Sequence, residues 1–478
     1  MSDPGPRASR LPGFLAEARA LMRLGLPMAA TQLAQMILLA TDTVMLGHFS
    51  KEALAAGAIG NSVYVFTWLL GSGPVSAVSP MIAHVVGRHG GSRKSRDQRE
   101  VRLVARMGLW SVVLISPLLL AALFFTRPAL ILLHQEPRLA TDAGLYVAAL
   151  ALGLPFSLAF QVLRNFATSL SRPVAPLIVM GLAILFNALG DYALIFGHFG
   201  LPRLGLVGSG LASSCSNFFT FAAMGAIALS TGGLKNYRLL HRFRRPHWRF
   251  LAELFHLGLP IGFTLLFEVA LFNAATLAMG TFGIAPLAAH QIAMTIPSLT
   301  FMVPLGIGLA ATVRVGLAAG AGDIRGARRA GFTAMGLGAL FMLCMALLLV
   351  VFSRAIATLW LPDTAANRDV LKLAVAFLHV AAGFQVMDGL QVTGSMSLRG
   401  LKDARGPMWI AGGSYWLAGA PMCVLLGFVL QLRGLGIWLG LAFGLLVAAV
   451  SQVSRFAWLS APGRRDIASR SKTPVPAP

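Results

Sequence analysis

"LGLPMAATQLAQMILLATDTVMLG", residues 24–47, holds one charged side chain, the carboxylate of Asp42. Either this is a buried helix of a soluble domain carrying an odd acid, or it spans a membrane and the acid has a task. The whole chain decides between them. Of 478 residues, 56% are hydrophobic and 12% charged, about half the charge of a soluble domain. Crossing a bilayer takes about 20 apolar residues. Twelve stretches reach that length: 24–47, 53–87, 103–125, 143–169, 173–197, 205–230, 251–280, 285–319, 330–352, 371–397, 408–430 and 435–459. The first is too long for a signal peptide and lacks a small-residue cleavage site. Cys215, Cys344 and Cys423 all fall in apolar runs, which argues against a disulfide framework or a metal site.

A net charge of +22 could point to nucleic acid, but its distribution points elsewhere. With an inside N-terminus, the inside loops read "RKSRDQREVR" (93–102), "KNYRLLHRFRRPHWR" (235–249), "RGARR" (325–329) and "LRGLKDARG" (398–406). The tail adds Arg464, Arg465, Arg470 and Lys472. The outside loops, such as "HQEPRLATD" and "LPDTAANRD", are far less basic. This is the positive-inside pattern, and it predicts that both termini are cytoplasmic. Contact of the basic runs with anionic lipid headgroups is expected; nucleic-acid binding is not.

The chain also repeats itself. "LMRLGLPMAATQLAQMILLATDTVMLGHFSKEALAA" from Leu21 aligns without a gap with "LFHLGLPIGFTLLFEVALFNAATLAMGTFGIAPLAA" from Leu254. Leu24-Gly25-Leu26-Pro27, Thr31, Gly47 and Leu54-Ala55-Ala56 recur in register. Six spans per half is an even number, so both halves enter from the same side. The expected architecture is therefore an all-α polytopic membrane protein of twelve transmembrane helices. Its two six-helix lobes, residues 1–240 and 241–478, would be related by a pseudo-two-fold axis along the membrane normal. Parallel repeats of this kind build transporters.

Four acids lie deep in the apolar spans: Asp42, Asp191, Glu268 and Asp388. A charge at the bilayer centre costs roughly 2.5–3.5 kcal/mol on insertion scales. Dry surroundings penalise the empty charged form and favour a bound proton or small cation. Occupancy can thereby be coupled to conformation. The repeat sets Asp42 against Ala275 and Gln35 against Glu268, so each half keeps an acid on its first helix at a different place. Asn187 and Asp191 are four residues apart and share a helix face; with Asp42 they form a candidate cluster. An outer-boundary acid remains an alternative for Asp191, and a plain interhelical hydrogen bond for Asn187. In the second half, Gln385 and Asp388 can face one cavity with Glu268, or the acid can pair with Arg399. Phe267, Phe272, Phe384, Met294, Met302 and Met387 are candidates for a greasy binding wall, against the plainer reading of lipid or core contacts. His290 and His379 read as packing polar groups or proton relays.

The motifs "LGLPMAATQLAQMILLATDTVMLG", "NALGDYALIFG", "GLPIGFTLLFEVALF", "AAHQIAM" and "FQVMDGLQV…SLRGLKD" resemble those of the MATE (multidrug and toxic compound extrusion) transporters, the NorM-like branch above all. The resemblance covers about residues 20–460. It implies two lobes around a central cavity and export of organic cations and other amphiphiles against inward H⁺ or Na⁺, with no cofactor. It carries the second-lobe cation site, a possible Na⁺ site, onto Glu268 and Asp388. The first-lobe site falls on Asp42, Asn187 and Asp191, with Ser213 where a threonine often stands, and the kink of the first helix falls on Pro27. Two positions depart from the pattern: Phe384 replaces a frequent tyrosine, and Asp191 is an acid where relatives can have asparagine. The substrate cavity is expected to include Gln35, Ser213, Phe267, Phe272, His290, Phe384 and Gln385. The expected protein is a monomeric, multi-pass antiporter of the bacterial inner membrane. The competing readings are a lipid-linked precursor flippase, a channel, and an integral membrane transferase. The transferase would need a catalytic cluster that the sequence lacks, so an enzyme is not expected.

Overall fold

The computed structural model describes residues 13–88, 95–239, 241, 243 and 246–462. Its long elements are helices: α1 (Phe14–Phe49), α2 (Lys51–Ser76), α3 (Val78–Arg88), α4 (Ser95–Phe124), α5 (Thr126–Leu132), α6 (Pro137–Ala151), α7 (Leu154–Ser169), α8 (Val174–Phe196) and α9 (Leu206–Ser230). The second half runs α10 (Trp248–Gly280), α11 (Ile284–Gly320), α12 (Ile324–Thr358), α13 (Arg368–Gly400), α14 (Arg405–Ala411), α15 (Ala420–Val424) and α16 (Arg433–Leu459), with π-helical turns at Gly412–Gly419 and Leu425–Val429. In lipid only a helix or a closed barrel satisfies its own backbone, so an apolar chain of this pattern has no other choice.

Eleven of the described stretches are long and apolar enough to cross a membrane, and the pair α6–α7, bent by 44°, adds a twelfth. The bend falls where Pro155 opens α7, because proline removes a backbone donor and clashes with the preceding turn. The helices overrun the apolar runs. α1 starts at Phe14, and the basic stretch expected as a loop at 93–102 is helical from Ser95. Helix ends follow capping rather than hydrophobicity. Ser50 ends α1 and caps α2 by accepting from the Ala53 amide at 3.0 Å, and Gly197 closes α8 in the left-handed region at φ 79°. The basic tail residues Arg464, Arg465, Arg470 and Lys472 lie outside the described residues.

Two large apolar cores stand out among the described residues. One gathers residues of α1–α4 and α6–α9 with the start of α10, around Leu154, Leu158 and Phe166. The other gathers α10–α16 around Phe377, Tyr415 and Trp438. The halves meet at the end that carries the basic loops. A Cβ added at Gly258 would stand 2.3 Å from Pro74 Cα, and one at Gly73 would stand 2.6 Å from Gly258 O. On the other side, a Cβ added at Gly25 would stand 3.2 Å from Ile307 Cα, and one at Gly306 would stand 2.6 Å from Ala29 Cα. Gly25 and Gly73 precede Gly258 and Gly306 by the 233 residues of the repeat (258 − 25 and 306 − 73). The same contact is therefore made twice, as a two-fold axis between the lobes requires. Below it, Arg314 Nε and Nη2 donate to Glu17 at 2.8 and 2.7 Å, and the Gly400 carbonyl lies 2.8 Å from His84 Nε2.

Gly258 is thus fixed by backbone on its far side. We expect Gly258→Ala to destabilise the protein by about 1–3 kcal/mol, since neither backbone can yield. Gly280→Ala, where nothing lies within 4 Å, should leave stability unchanged. Thermal unfolding of both variants in detergent checks this; equal midpoints would show that the lobes do not meet here.

Candidate functional site

In the first half, α1 packs along α8, and α8 along α9. Asp42, Asn187 and Ser213 are thereby turned to one buried spot. Ser213 Oγ donates to Asp42 Oδ2 at 2.7 Å. Asn187 and Asp191, one turn apart on α8, are fully buried and reach towards Asp42. Both come within side-chain hydrogen-bonding reach of its carboxylate, without the geometry of a well-formed hydrogen bond. Asp42 Oδ1, both Asp191 oxygens, both Asn187 side-chain atoms and the Ser209 hydroxyl have no hydrogen-bond partner. Buried polar atoms are nearly always satisfied, so this concentration needs an explanation. Two carboxylates sharing one dry pocket cannot both stay charged and empty without a large electrostatic cost. The donor set, almost all oxygen, is what a proton or a hard monovalent cation would satisfy.

In the second half, Glu268 on α10 lies within electrostatic reach of Asp388 and Arg399 on α13, and beside Gln391. Among the described residues, neither acid forms an ion pair, and Arg399 donates only to Met396 Sδ at 3.5 Å. The expected alternative, an Asp388–Arg399 pair, does not form. The Gln391 amide oxygen and the Tyr415 hydroxyl are buried without partners. Gln385, entirely buried, donates to Thr300 Oγ1 at 2.9 Å. His290 shares a 3.0 Å hydrogen bond with Thr276, and its ring lies 5.5 Å from Trp438. Phe384 stacks on the same indole, with ring centroids 5.7 Å apart. Phe272 and Phe267 are half-buried at the edge of the core, where the Phe267 carbonyl accepts from Trp416 Nε1 at 3.3 Å.

Gln35 faces a cavity of about 140 Å³ within the first half. Trp68, Ser157, Gln161, Ser216 and Asn217 also line it, and Trp68 Nε1 donates to Ser157 Oγ at 2.7 Å. Immediately next to it, Arg164 Nη1 donates to Gln32 at 2.8 Å and to Gln35 at 3.2 Å. Reading acids alone misses Arg164, Gln161, Tyr415 and Gln391. The signal for Arg164 is in the sequence, as a lone cation in the span 143–169. Tyr415 and Gln391 leave no pattern, because a polar side chain inside a helix shows its partners only after packing.

A family model described as MatE matches residues 27–193 and 260–425, one stretch in each half. The chain belongs to this family. The two matches begin 233 residues apart, the period of the internal repeat. Among curated relatives, "Probable multidrug resistance protein NorM" of Mesorhizobium japonicum is 43% identical over 453 residues, 94% of each chain. The Pseudomonas putida protein of the same name is 38% identical over 443 residues, 92% of this chain and 94% of its own. Among solved structures, the eukaryotic MATE transporter AtDTX14 superposes with a TM-score of 0.83 at 21% identity, covering 96% of this chain and all of the other. An outward-facing multidrug resistance MATE transporter gives 0.79 at 20% identity, over 96% and 97% of the two chains. The family fold and the membrane-spanning architecture expected from the sequence are borne out.

Proposed function

We propose that this protein is a secondary antiporter of a bacterial inner membrane that exports amphiphilic, mostly cationic compounds in exchange for H⁺ or Na⁺. The observation that carries the reading is an acid pair inside each half: Asp42 and Asp191 with carboxylate oxygens left unsatisfied, and Glu268 and Asp388 beside the unsatisfied Gln391 amide oxygen and Tyr415 hydroxyl. Each state of the transporter can hold the acids differently, so ion binding biases the equilibrium between states. The relatives named for multidrug resistance support the substrate class. On this reading the lobes are residues 1–240 and 241–478, no cofactor or nucleic acid is involved, the protein acts as a monomer in lipid, and it catalyses no covalent chemistry. With the basic end in the cytoplasm, the lobes are joined on the inside, as in an outward-facing state. A flippase for an anionic lipid-linked precursor would want a cationic cavity, against which the four acids speak.

Expression in a bacterium lacking its own drug pumps tests the function. Resistance to amphiphilic cations should rise several-fold; unchanged susceptibility with the protein present in the membrane would contradict the proposal. Orientation has its own test. In a cysteine-free background, Lys235→Cys and Arg325→Cys should resist an impermeant thiol reagent added to intact cells, and Gln135→Cys should react. Labelling of either basic-end cysteine without permeabilisation would overturn the assigned sidedness.

A further inference from the structure

Arg164 is a cation without a counter-charge among the described residues. It is 92% buried, with a relative exposure of 8%. Among the described residues, its side chain donates hydrogen bonds only from Nη1, to two neutral amides, Gln32 and Gln35. Among the described residues, no carboxylate lies within ion-pair distance. A guanidinium has five N–H donors in a planar fork matched to carboxylate geometry. Burying it with only amide acceptors leaves most of its charge uncompensated.

Its place in the fold gives that charge a direction. Along α7, Ser157 and Gln161 line the cavity, and Arg164 follows one turn later in an adjoining smaller pocket that Thr31, Gln32 and Ser79 also line. Along α1, Arg164 binds at Gln32 and Gln35, whereas Asp42 lies seven residues on, about 10 Å along the axis. Along α9, Ser213 holds Asp42, and Ser216 and Asn217 line the cavity between. The order along α1 is therefore acid cluster, polar cavity, guanidinium, and α9 and α7 each repeat one half of it. Trp68 supplies an aromatic wall in the middle.

We propose that Arg164 is a specificity-determining residue that receives an anionic group of the exported molecule, so that the first-half cavity selects zwitterionic amphiphiles. The carboxylate end docks on the free edge of the guanidinium, the flat apolar body lies along Trp68, and the cationic end points towards Asp42. The cavity must widen to admit a drug-sized body, and entry of the anion displaces Gln32 or Gln35 from Nη1. This inference rests on the antiport reading for its biological sense but is tested by binding alone.

Rhodamine B carries a free carboxylate and a delocalised cation; its methyl ester keeps the cation and loses the anion. Binding of both dyes to the purified full chain is measured by fluorescence polarisation in detergent. The wild type should prefer rhodamine B. Arg164→Gln, which keeps a hydrogen-bonding side chain and removes the charge, should weaken rhodamine B about tenfold and the ester by less than about twofold. Arg164→Lys should fall between, because a point charge replaces the bidentate fork. Unchanged binding of the ester shows that the variant is folded. Equal losses for both dyes would assign Arg164 a structural role, and no preference in the wild type would remove the anion site; either overturns the proposal. Intact discrimination without gradient-driven export would instead sink the antiport reading and leave the site standing.

Discussion

Asp42→Asn is expected to abolish coupled export while leaving folded protein in the membrane. The amide oxygen of asparagine can still accept from Ser213, which holds Asp42 at 2.7 Å in the native protein. Shape and local packing are therefore kept, and only the titratable charge is lost. Coupling requires that the ion bind one transporter state more tightly than the other, and such couplings are typically about 1–3 kcal/mol, a factor of about 5–150. With the charge removed the differential vanishes, so the accelerating effect of the gradient should fall by that factor. Ser213→Ala removes one donor and no charge, and should cost much less. The measurement is export in energised cells at matched expression, with thermal stability as the control for folding. Wild-type resistance conferred by the asparagine variant would assign Asp42 a structural part only.

The second large effect is expected in the other half. Glu268 and Asp388 lie within electrostatic reach of each other and near Arg399, and among the described residues no ion pair quenches either. If one bound ion serves both, removing either acid empties the shared site. Glu268→Gln and Asp388→Asn should then each reduce transport by at least about tenfold, and the double variant should be little worse. Groups in contact show coupling energies of about 0.5–3 kcal/mol, whereas distant independent sites add. Initial rates across the full cycle, at matched protein, give the coupling directly. Additive losses would mean two separate groups, and unchanged single variants would leave coupling to Asp42, Asn187 and Asp191.

Much of this molecule is legible without coordinates, for a physical reason. In a membrane the span length, the apolar pattern and the distribution of arginines are all set by the bilayer, so twelve spans and an even-numbered repeat can be read directly. The repeat even foretells the interface, since Gly25 and Gly258 stand at equivalent positions and make equivalent contacts. The acids are legible too, because each is an exception in an apolar run. What brings Asp42, on α1, beside Asn187 and Asp191, on α8, is helix packing, and no local pattern records it. The same holds for Trp438, whose ring contacts both Phe384 and His290; aromatic residues in an apolar helix look alike whether they face a cavity, the core or lipid. Arg164 was visible as a charge in a span but could be interpreted only once Gln32, Gln35 and the cavity stood around it.

The central claim is that buried carboxylates in both halves tie ion movement to substrate movement. Purified protein in liposomes loaded with ethidium, under an imposed pH gradient or an imposed Na⁺ gradient applied singly, tests it most directly. One of the two gradients should raise the initial rate of ethidium export well above the rate with no gradient, and Asp42→Asn should abolish the increase. Equal rates with and without either gradient, in a preparation whose ethidium flux depends on the protein, would show a passive pathway and contradict the account.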